Sequence, residues 1–500
     1  MIDSDRREST TMTTDTRFSL ARLRPVALLL GSALLAACAT VGPDYPGPPP
    51  VGTGSGWTAQ PVEAAAPVDL AHWWSTLGDP VLERLIETAL ARNLDLRLAA
   101  ARIDEARALR DRVAGDRAAV AGIGASVTRR RQSENGPLPV GSIPGLDATQ
   151  TIYDAGFDAA WEADLFGAKH RAPEGADARL QASEIDAQGV RMRIAAEVAR
   201  AWFSAAGAAE ELRTQQAMLG TLQQSVDLVR RRADLGDASQ ADVETARAQW
   251  AAADAALPEI RARRRAAVLS LGVLLGAPPE QELALLDAAA SPLELRALPV
   301  GERAEVLRRR PDVLAAERQL AARTADIGVA TAELFPKLTI GVGGGFQALG
   351  TGDWFNASSA RFSLVPLISW RLFDGGRVRA EIRAREAGAR QAAIAYEQAV
   401  LAALGDAERA LGDYGAGLDT LQRRQAALAA TRRSHVHAKA RFAAGDIALI
   451  ELLAAERLLL EAETASARAR TTAAVQLVAL YKALGGGWDA PAVAAAPASP

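Results

Sequence analysis

The stretch TIYDAGFDAAWEADL, residues 151–165, decides how the rest of the chain is read. Thr151, Tyr153, Ala155, Phe157, Ala159, Trp161, Ala163 and Leu165 form one face, and Ile152, Asp154, Gly156, Asp158, Ala160, Glu162 and Asp164 the other. Apolar and acidic residues alternate with a period of two, which is the side-chain period of a strand and not of a helix. Residues 120–129 alternate more weakly, with Ala121, Ile123, Ala125 and Val127 together. In 337–349, Leu338, Ile340, Val342, Phe346 and Ala348 share a face; in 361–373, Phe362, Leu364, Ile368, Trp370 and Leu372 do. Each segment meets or exceeds the roughly 9–11 residues that a tilted membrane strand needs. Tyr153, Trp161, Trp354 and Trp370 fall where an aromatic belt would lie. Pro366 predicts a bulge or bend. The pattern alone also fits soluble hairpins.

Four strands cannot close a barrel, and an open edge does not survive in lipid. If these are membrane strands, several copies share one barrel. Two copies give eight strands and a filled interior, whereas three give twelve and room for a channel. Outside the strands the period changes. Ile194, Val198, Ala201, Ala205, Ala208, Leu212, Gln215, Leu219, Leu222, Val226, Val229 and Ala233 step by four and three, a heptad seam with Gln215 its one polar member. The spacing predicts one helix from Pro173, in its first turn, to Gly236, and a matching helix from about Arg377 to Gly445. A helix of some 60 residues is about 90 Å long.

The chain is a tandem repeat. Gly236-Asp237 matches Gly445-Asp446 and Leu275-Gly276 matches Leu484-Gly485, both at an offset of 209. Asp95 matches Asp312, and Gly124 matches Gly341, at 217, whereas Phe166 and Phe373 differ by 207. The first copy therefore carries about ten extra residues, which fit the Pro/Gly-rich loop 129–150.

The single cysteine, Cys38, follows Arg17, Arg22 and Arg24 and the apolar run 25–37, so it can form no intramolecular disulfide. Basic residues, a short apolar run and small residues make a secretory signal, too short to span a bilayer. LAAC, residues 35–38, resembles a bacterial lipobox, which implies covalent lipid on Cys38. Ala39 is not the aspartate that retains many lipoproteins at the inner membrane, so the resemblance implies the outer one. Translation from Met1 or from Met12 fits the signal.

The chain has 500 residues, a net charge of −3 and 49% apolar residues with only 5% aromatics. That balance gives no sign of a polyanionic partner, and alanine-rich helices pack closely. No histidine, cysteine and carboxylate cluster supports nucleophilic catalysis. GVGGGF, 341–346, precedes no helix and reads as strand glycines. His435 and His437, two apart on a helix, share no face and make no metal site. No enzyme, metal or cofactor is expected.

CATVGPDYPGPPP (38–50), WWSTLGDPVLERLIETALARNLDL (73–96), WEADLFG (161–167), RRRPDVLAAE (308–317), LFPKLTIGVGGG (334–345), SWRLFDGG (369–376) and ALGGGW (483–488) resemble, in order and spacing, the TolC-type outer-membrane efflux channels of the lipoprotein NodT group. The resemblance implies an α+β membrane protein and a homotrimer. Four transmembrane β-strands per chain form a 12-stranded β-barrel, and long antiparallel coiled-coil helices form a 12-helix tunnel. It implies docking to a periplasmic adaptor (membrane fusion) protein and an inner-membrane RND-type pump, with small drugs and amphiphiles as cargo. Type I protein secretion and heavy-metal ion export stay open as alternatives, and a lipid-anchored coiled-coil rod without a barrel is a third reading.

The expected division is a signal peptide over 1–37, a lipidated linker over 38–78, repeat one over 79–290, repeat two over 291–484 and a tail over 485–500. Repeat one holds a strand hairpin at about 120–166 and a helical turn at about 236; repeat two holds them at about 337–373 and 445. By resemblance the turns form the periplasmic mouth. Asp237 and Asp446 follow the turn glycines and would cap the next helix. Alternatively, Asp446, in the copy that by resemblance lines the axis, would form a three-fold carboxylate ring. Related channels often carry the acidic residue two positions past this glycine, where this chain has Ile447. Arg232 and Arg441 are candidate salt-bridge or adaptor contacts.

Overall fold

The computed structural model describes residues 40–52, 54, 56–58, 70–133, 147–288, 293–298, 300 and 302–489. The signal peptide, Cys38, the middle of the 129–150 loop and the tail beyond Asp489 lie outside the described residues. Two compact units are present, each drawing segments from both repeats: one holds 113–173 and 325–385, the other 45–112, 174–324 and 386–500.

The first unit contains the sheet. Strands β1 (Val120–Arg131), β2 (Thr149–Ala163), β3 (Lys337–Ala348) and β4 (Ala360–Ser369) pair antiparallel in the order β1-β2-β3-β4. The register unites the faces read from sequence. Asp154 lies opposite Ser126 and Gln347, and Asp158 opposite Gly122 and Gly343, on one side. Phe157 lies opposite Ile123 and Gly344, and Trp161 opposite Ile340, on the other. The apolar side is bare: Ile123 is 94% and Phe362 91% exposed.

Three expectations need correction. Pro366 makes no bulge, because the register runs unbroken through its pair with Ile340. β4 is an edge strand, where a missing N–H is tolerated. Residues 370–373 are not strand: the Trp370 indole donates to the Leu334 carbonyl at 3.0 Å, and Asp374 accepts from the N–H groups of Gly376 and Val378 at the next helix start. Nor is the extra length of repeat one held in the loop alone, since β2 has 15 residues against ten in β4.

The second unit is helical: α1 (Pro80–Arg92), α2 (Leu94–Gly115), α3 (Ala168–Asp234), α4 (Gln240–Asp254), α5 (Leu257–Leu274), α6 (Arg303–Arg309), α7 (Pro311–Ala332), α8 (Arg377–Ala444) and α9 (Leu449–Ala483). Both α2 and α7, and the starts of α3 and α8, cross into the first unit. The 67 residues of α3 and 68 of α8 correspond to about 100 Å of helix each. α3 begins at Ala168, so Pro173 is inside the helix and not at its start. A proline there leaves the carbonyl four residues back, Lys169, without its helical donor. The Arg117 Nε donates to that carbonyl at 2.6 Å, which makes the proline tolerable.

The heptad seam of α3 is buried almost throughout. Its polar member, Gln215, donates from Nε2 to the Ala253 carbonyl at 2.6 Å, where α4 ends. The main core joins Trp73, Leu82, Ile86, Ile194, Trp202, Leu271, Leu480 and Tyr481. Asp79 caps α1 through Val81 and Leu82 and also accepts the Trp202 indole N–H at 2.8 Å. The repeat is physical as well as textual. Asn93 Nδ2 donates to the Leu274 carbonyl at 2.8 Å in copy one, and Arg310 Nη1 donates to the Ala483 carbonyl at 3.3 Å in copy two.

Gly236 and Gly445 take φ of +85° and +83°. Each closes its long helix with paired bonds: Asp237 N–H to Arg232 O and Gly236 N–H to Ala233 O, then Asp446 N–H to Arg441 O and Gly445 N–H to Phe442 O. This is the Schellman stop, which needs a left-handed residue. Gly236→Ala and Gly445→Ala are each expected to cost about 1 kcal/mol. Gly220→Ala, mid-helix with open space beside it, is expected to gain about as much. Thermal unfolding midpoints check the contrast, and equal effects of the three changes would refute it.

Candidate functional site

Two places gather the chemistry: the turns between the long helices, and the polar face of the sheet. At the turns, helix α4 is capped by Ser239, whose Oγ accepts the Asp242 N–H at 3.1 Å while Asp242 Oδ2 accepts the Ser239 N–H at 2.9 Å. The Ser239 N–H holds the Asp242 carboxyl below its ordinary range. Helix α9 begins after Ala448, whose N–H donates to Glu451 Oε1 at 3.4 Å. Asp237 and Asp446 therefore cap neither helix, a correction to the expectation. A Schellman stop uses the backbone N–H of the residue after its glycine, so the cap falls two residues further on. Both carboxylates are exposed, with no side-chain hydrogen bond or ion pair among the described residues.

The two arginines part company. Arg232 lays its guanidinium over the buried Phe442 ring, 4.5 Å from the centroid, tying the end of α3 to the end of α8. Arg441 is exposed and has no side-chain partner among the described residues. Repeat symmetry is broken here, because Phe442 has the small Ala233 as its counterpart.

Further along the helices the sequence reading missed a buried polar layer. Glu211 on α3 accepts from Arg263 on α5 at 2.8 Å and from Arg468 on α9 at 2.6 and 3.0 Å. Ser225 Oγ on α3 donates to Glu456 Oε1 on α9 at 2.8 Å. Glu456 is only 2% exposed, and burial pushes its carboxyl above the ordinary range. Glu211, Arg468 and Glu456, with Gln215, Leu222 and Leu460, line a cleft of about 670 Å³. The available signal was a heptad helix carrying polar residues within one step of its seam; pairing them required knowing which helix lies opposite.

On the polar face of the sheet, Arg361 of β4 reaches over Gly345 to Asp154 of β2, with Nη2 to Oδ1 at 2.6 Å and Nε to Oδ2 at 3.0 Å. Gln347 also donates to Asp154, at 2.9 Å. Gly345 leaves no room for a side chain: a Cβ there would meet the Ala155 carbonyl oxygen at 2.3 Å. Among the described residues no group of three His, Cys, Asp or Glu could hold a metal ion. No described helix is long and apolar enough to cross a membrane, which leaves the sheet to be considered.

A carboxyl whose folded-state pKa is raised adds stability fully below its unfolded value, near 4.5, and loses it as pH rises through the raised value. Glu456→Gln keeps an oxygen for Ser225 and carries no charge. It is expected to raise the unfolding midpoint at pH 7 and to give no gain at pH 4. A less stable variant at pH 7 would overturn this account.

The Outer membrane efflux protein family model matches residues 85–277 and 303–486. The chain is 33% identical over 478 residues to the pyoverdine export outer membrane protein OpmQ of Pseudomonas putida, covering 93% of this chain and 98% of the relative. To the outer membrane protein OprJ of Pseudomonas aeruginosa it is 32% identical, covering 93% and 96%. The solved outer-membrane channel OprN is 36% identical, with a TM-score of 0.81 over 90% of this chain and 100% of that one. The matched stretches of the family model fall one in each repeat, and they contain both helical turns and all four strands. The chain belongs to the outer membrane efflux protein family and is an efflux channel of the outer membrane.

Proposed function

We propose that three copies of this chain close one twelve-stranded barrel in the outer membrane above a twelve-helix tunnel. The assembly is a passive duct for small drug-like and amphiphilic molecules. An inner-membrane RND-type pump supplies the energy and a periplasmic adaptor makes the joint, so the channel needs neither catalysis nor a cofactor. The observation that carries this reading is the two-faced sheet with open edges: one bare apolar face, one polar face, and β1 and β4 each lacking a second neighbour among the described residues. Backbone groups on such edges need strands from other copies if the apolar face meets lipid.

The exposed Asp446, without a side-chain partner among the described residues, fits a three-fold carboxylate ring at the mouth, with Asp237 and Arg441 left for adaptor contact and Arg232 holding the turn through Phe442. Cys38 is proposed as the lipid anchor. In support, Val41 N–H donates to the Phe166 carbonyl at 3.1 Å, just past β2. Thr40 lies so close to Gly167 that a Cβ there would meet its Cγ2 at 2.6 Å.

The test is the susceptibility of a deletion strain and its complemented control to dyes, detergents, antibiotics and divalent metals. Sensitivity to several unrelated amphiphiles is expected. Sensitivity to metals alone would replace this cargo with metal ions, and no sensitivity beside a lost secreted protein would replace it with protein secretion. In planar bilayers the purified trimer is expected to conduct, and Asp446→Ala to leak more; unchanged conductance would sink the ring. Cys38→Ser is expected to abolish labelling by radioactive palmitate, and labelling that persists would remove Cys38 as the anchor.

A further inference from the structure

In the cleft of about 670 Å³ among the helices, the chain's own groups leave one buried acceptor unmet. The cleft runs along α9 from Glu456 to Thr472, about 24 Å of helix. Its walls are mostly apolar: Leu222 of α3, Ala253 at the end of α4, Ile260 of α5 and Leu460 of α9.

Most polar groups around it are spent. Glu211 takes Arg263 on one oxygen and Arg468 on the other, and Arg457 faces Glu461 at 3.8 Å. Gln249 donates from Nε2 to the Leu453 carbonyl at 2.9 Å. Glu456 is the exception. Its Oε1 accepts from Ser225, but its Oε2 is buried with no hydrogen-bond partner among the described residues. The residue as a whole is 2% exposed. Lys439 of α8 acts on it through space, without a hydrogen bond.

A buried carboxylate short of a countercharge is costly, and burial already pushes this carboxyl above its ordinary range. A ligand that brings a positively charged N–H donor supplies the charge and the missing bond together. Such a bond is strong where water is excluded. The C-terminal end of α4, at Ala252 and Ala253, adds partial negative charge beside the cleft. An anion on Arg424 is the weaker choice. Arg424 also lines the cleft and has no side-chain partner among the described residues, but it is exposed and so meets water.

We infer that this cleft binds an amphiphilic amine: a primary or secondary ammonium donates to Glu456 Oε2, and its apolar body lies along Leu222, Ala253, Ile260 and Leu460. The volume is that of a site for a drug-sized molecule. A quaternary ammonium has no N–H to give and binds less well. The site lies within the helical unit and does not depend on what the channel exports, so a failed deletion-strain test leaves it standing.

The experiment is a fluorescence titration of the full-length oligomer in lipid nanodiscs, with empty nanodiscs as background. The probes are dansylcadaverine, a primary amine on an aromatic body, and its N-acetyl and N-trimethyl derivatives. The wild type is expected to bind the amine about tenfold more tightly than either derivative. Glu456→Gln, which puts an NH₂ donor where the amine must donate, is expected to lose that preference. Arg424→Gln is expected to keep it. Tryptophan-sensitised dansyl emission is expected to fall in Trp250→Phe, because Trp250 packs on the cluster of Leu222 and Leu460. That measurement locates the probe even if Glu456→Gln does not assemble. Equal binding of the three compounds by the wild type, or a preference that survives in Glu456→Gln, overturns the site. So does a preference lost in Arg424→Gln, or sensitised emission unchanged in Trp250→Phe.

Discussion

β1 and β4 each present a row of backbone N–H and C=O groups that no other strand among the described residues covers. In water such an edge would be hydrated, but in hydrocarbon every unmet group costs several kcal/mol. The apolar face of this same sheet is among the most exposed surface of the molecule, so lipid and open edges come as a pair. Closure by further copies satisfies both at once. The polar face and the oligomer thus answer the same demand: a barrel wide enough to close around twelve strands has an interior that must be wet.

The long helices answer a different demand with the same repeat. Alanine-rich seams bury little area per residue, so their stability is spread over many turns and not concentrated in a core. At the trans-helix contacts the chain adds buried polar ties: Glu211 between Arg263 and Arg468, and Ser225 to Glu456. Pairing two arginines on one buried carboxylate compensates a charge that would otherwise be expensive to desolvate. Glu456 is less well compensated, with one hydroxyl donor for two oxygens. It therefore leans toward its neutral form.

Tandem duplication reuses backbone solutions and varies side chains. Four glycines related by the 209-residue offset, at 236, 445, 276 and 485, all take positive φ, because the helix stop is a backbone requirement that only glycine meets without strain. Where the copies differ, the difference is chemical. Asn93 and Arg310 reach equivalent carbonyls with different groups, and Phe442 gives Arg232 a ring that the first copy's Ala233 does not provide in return. Such asymmetry lets two copies of one unit occupy different places in one assembly.

Strand alternation, the heptad seam and the glycine offsets determined by themselves that the chain has four strands, two long helices and two copies of one plan. Each is a local periodicity, read from residues a few positions apart. Even there, β4 stops at Ser369 and α3 starts before Pro173, because Trp370 and Arg117 find carbonyl partners distant in sequence. Only the tertiary structure decided the rest. Register aligned Arg361 with Asp154, and a shift of one residue would have put them on opposite faces. Helix neighbours decided that Glu456 meets Ser225 and that Arg232 meets Phe442 and not a carboxylate. The physical reason is the same in each case: a side chain's partner lies across a gap that the chain closes only on folding, and no spacing along the sequence encodes it.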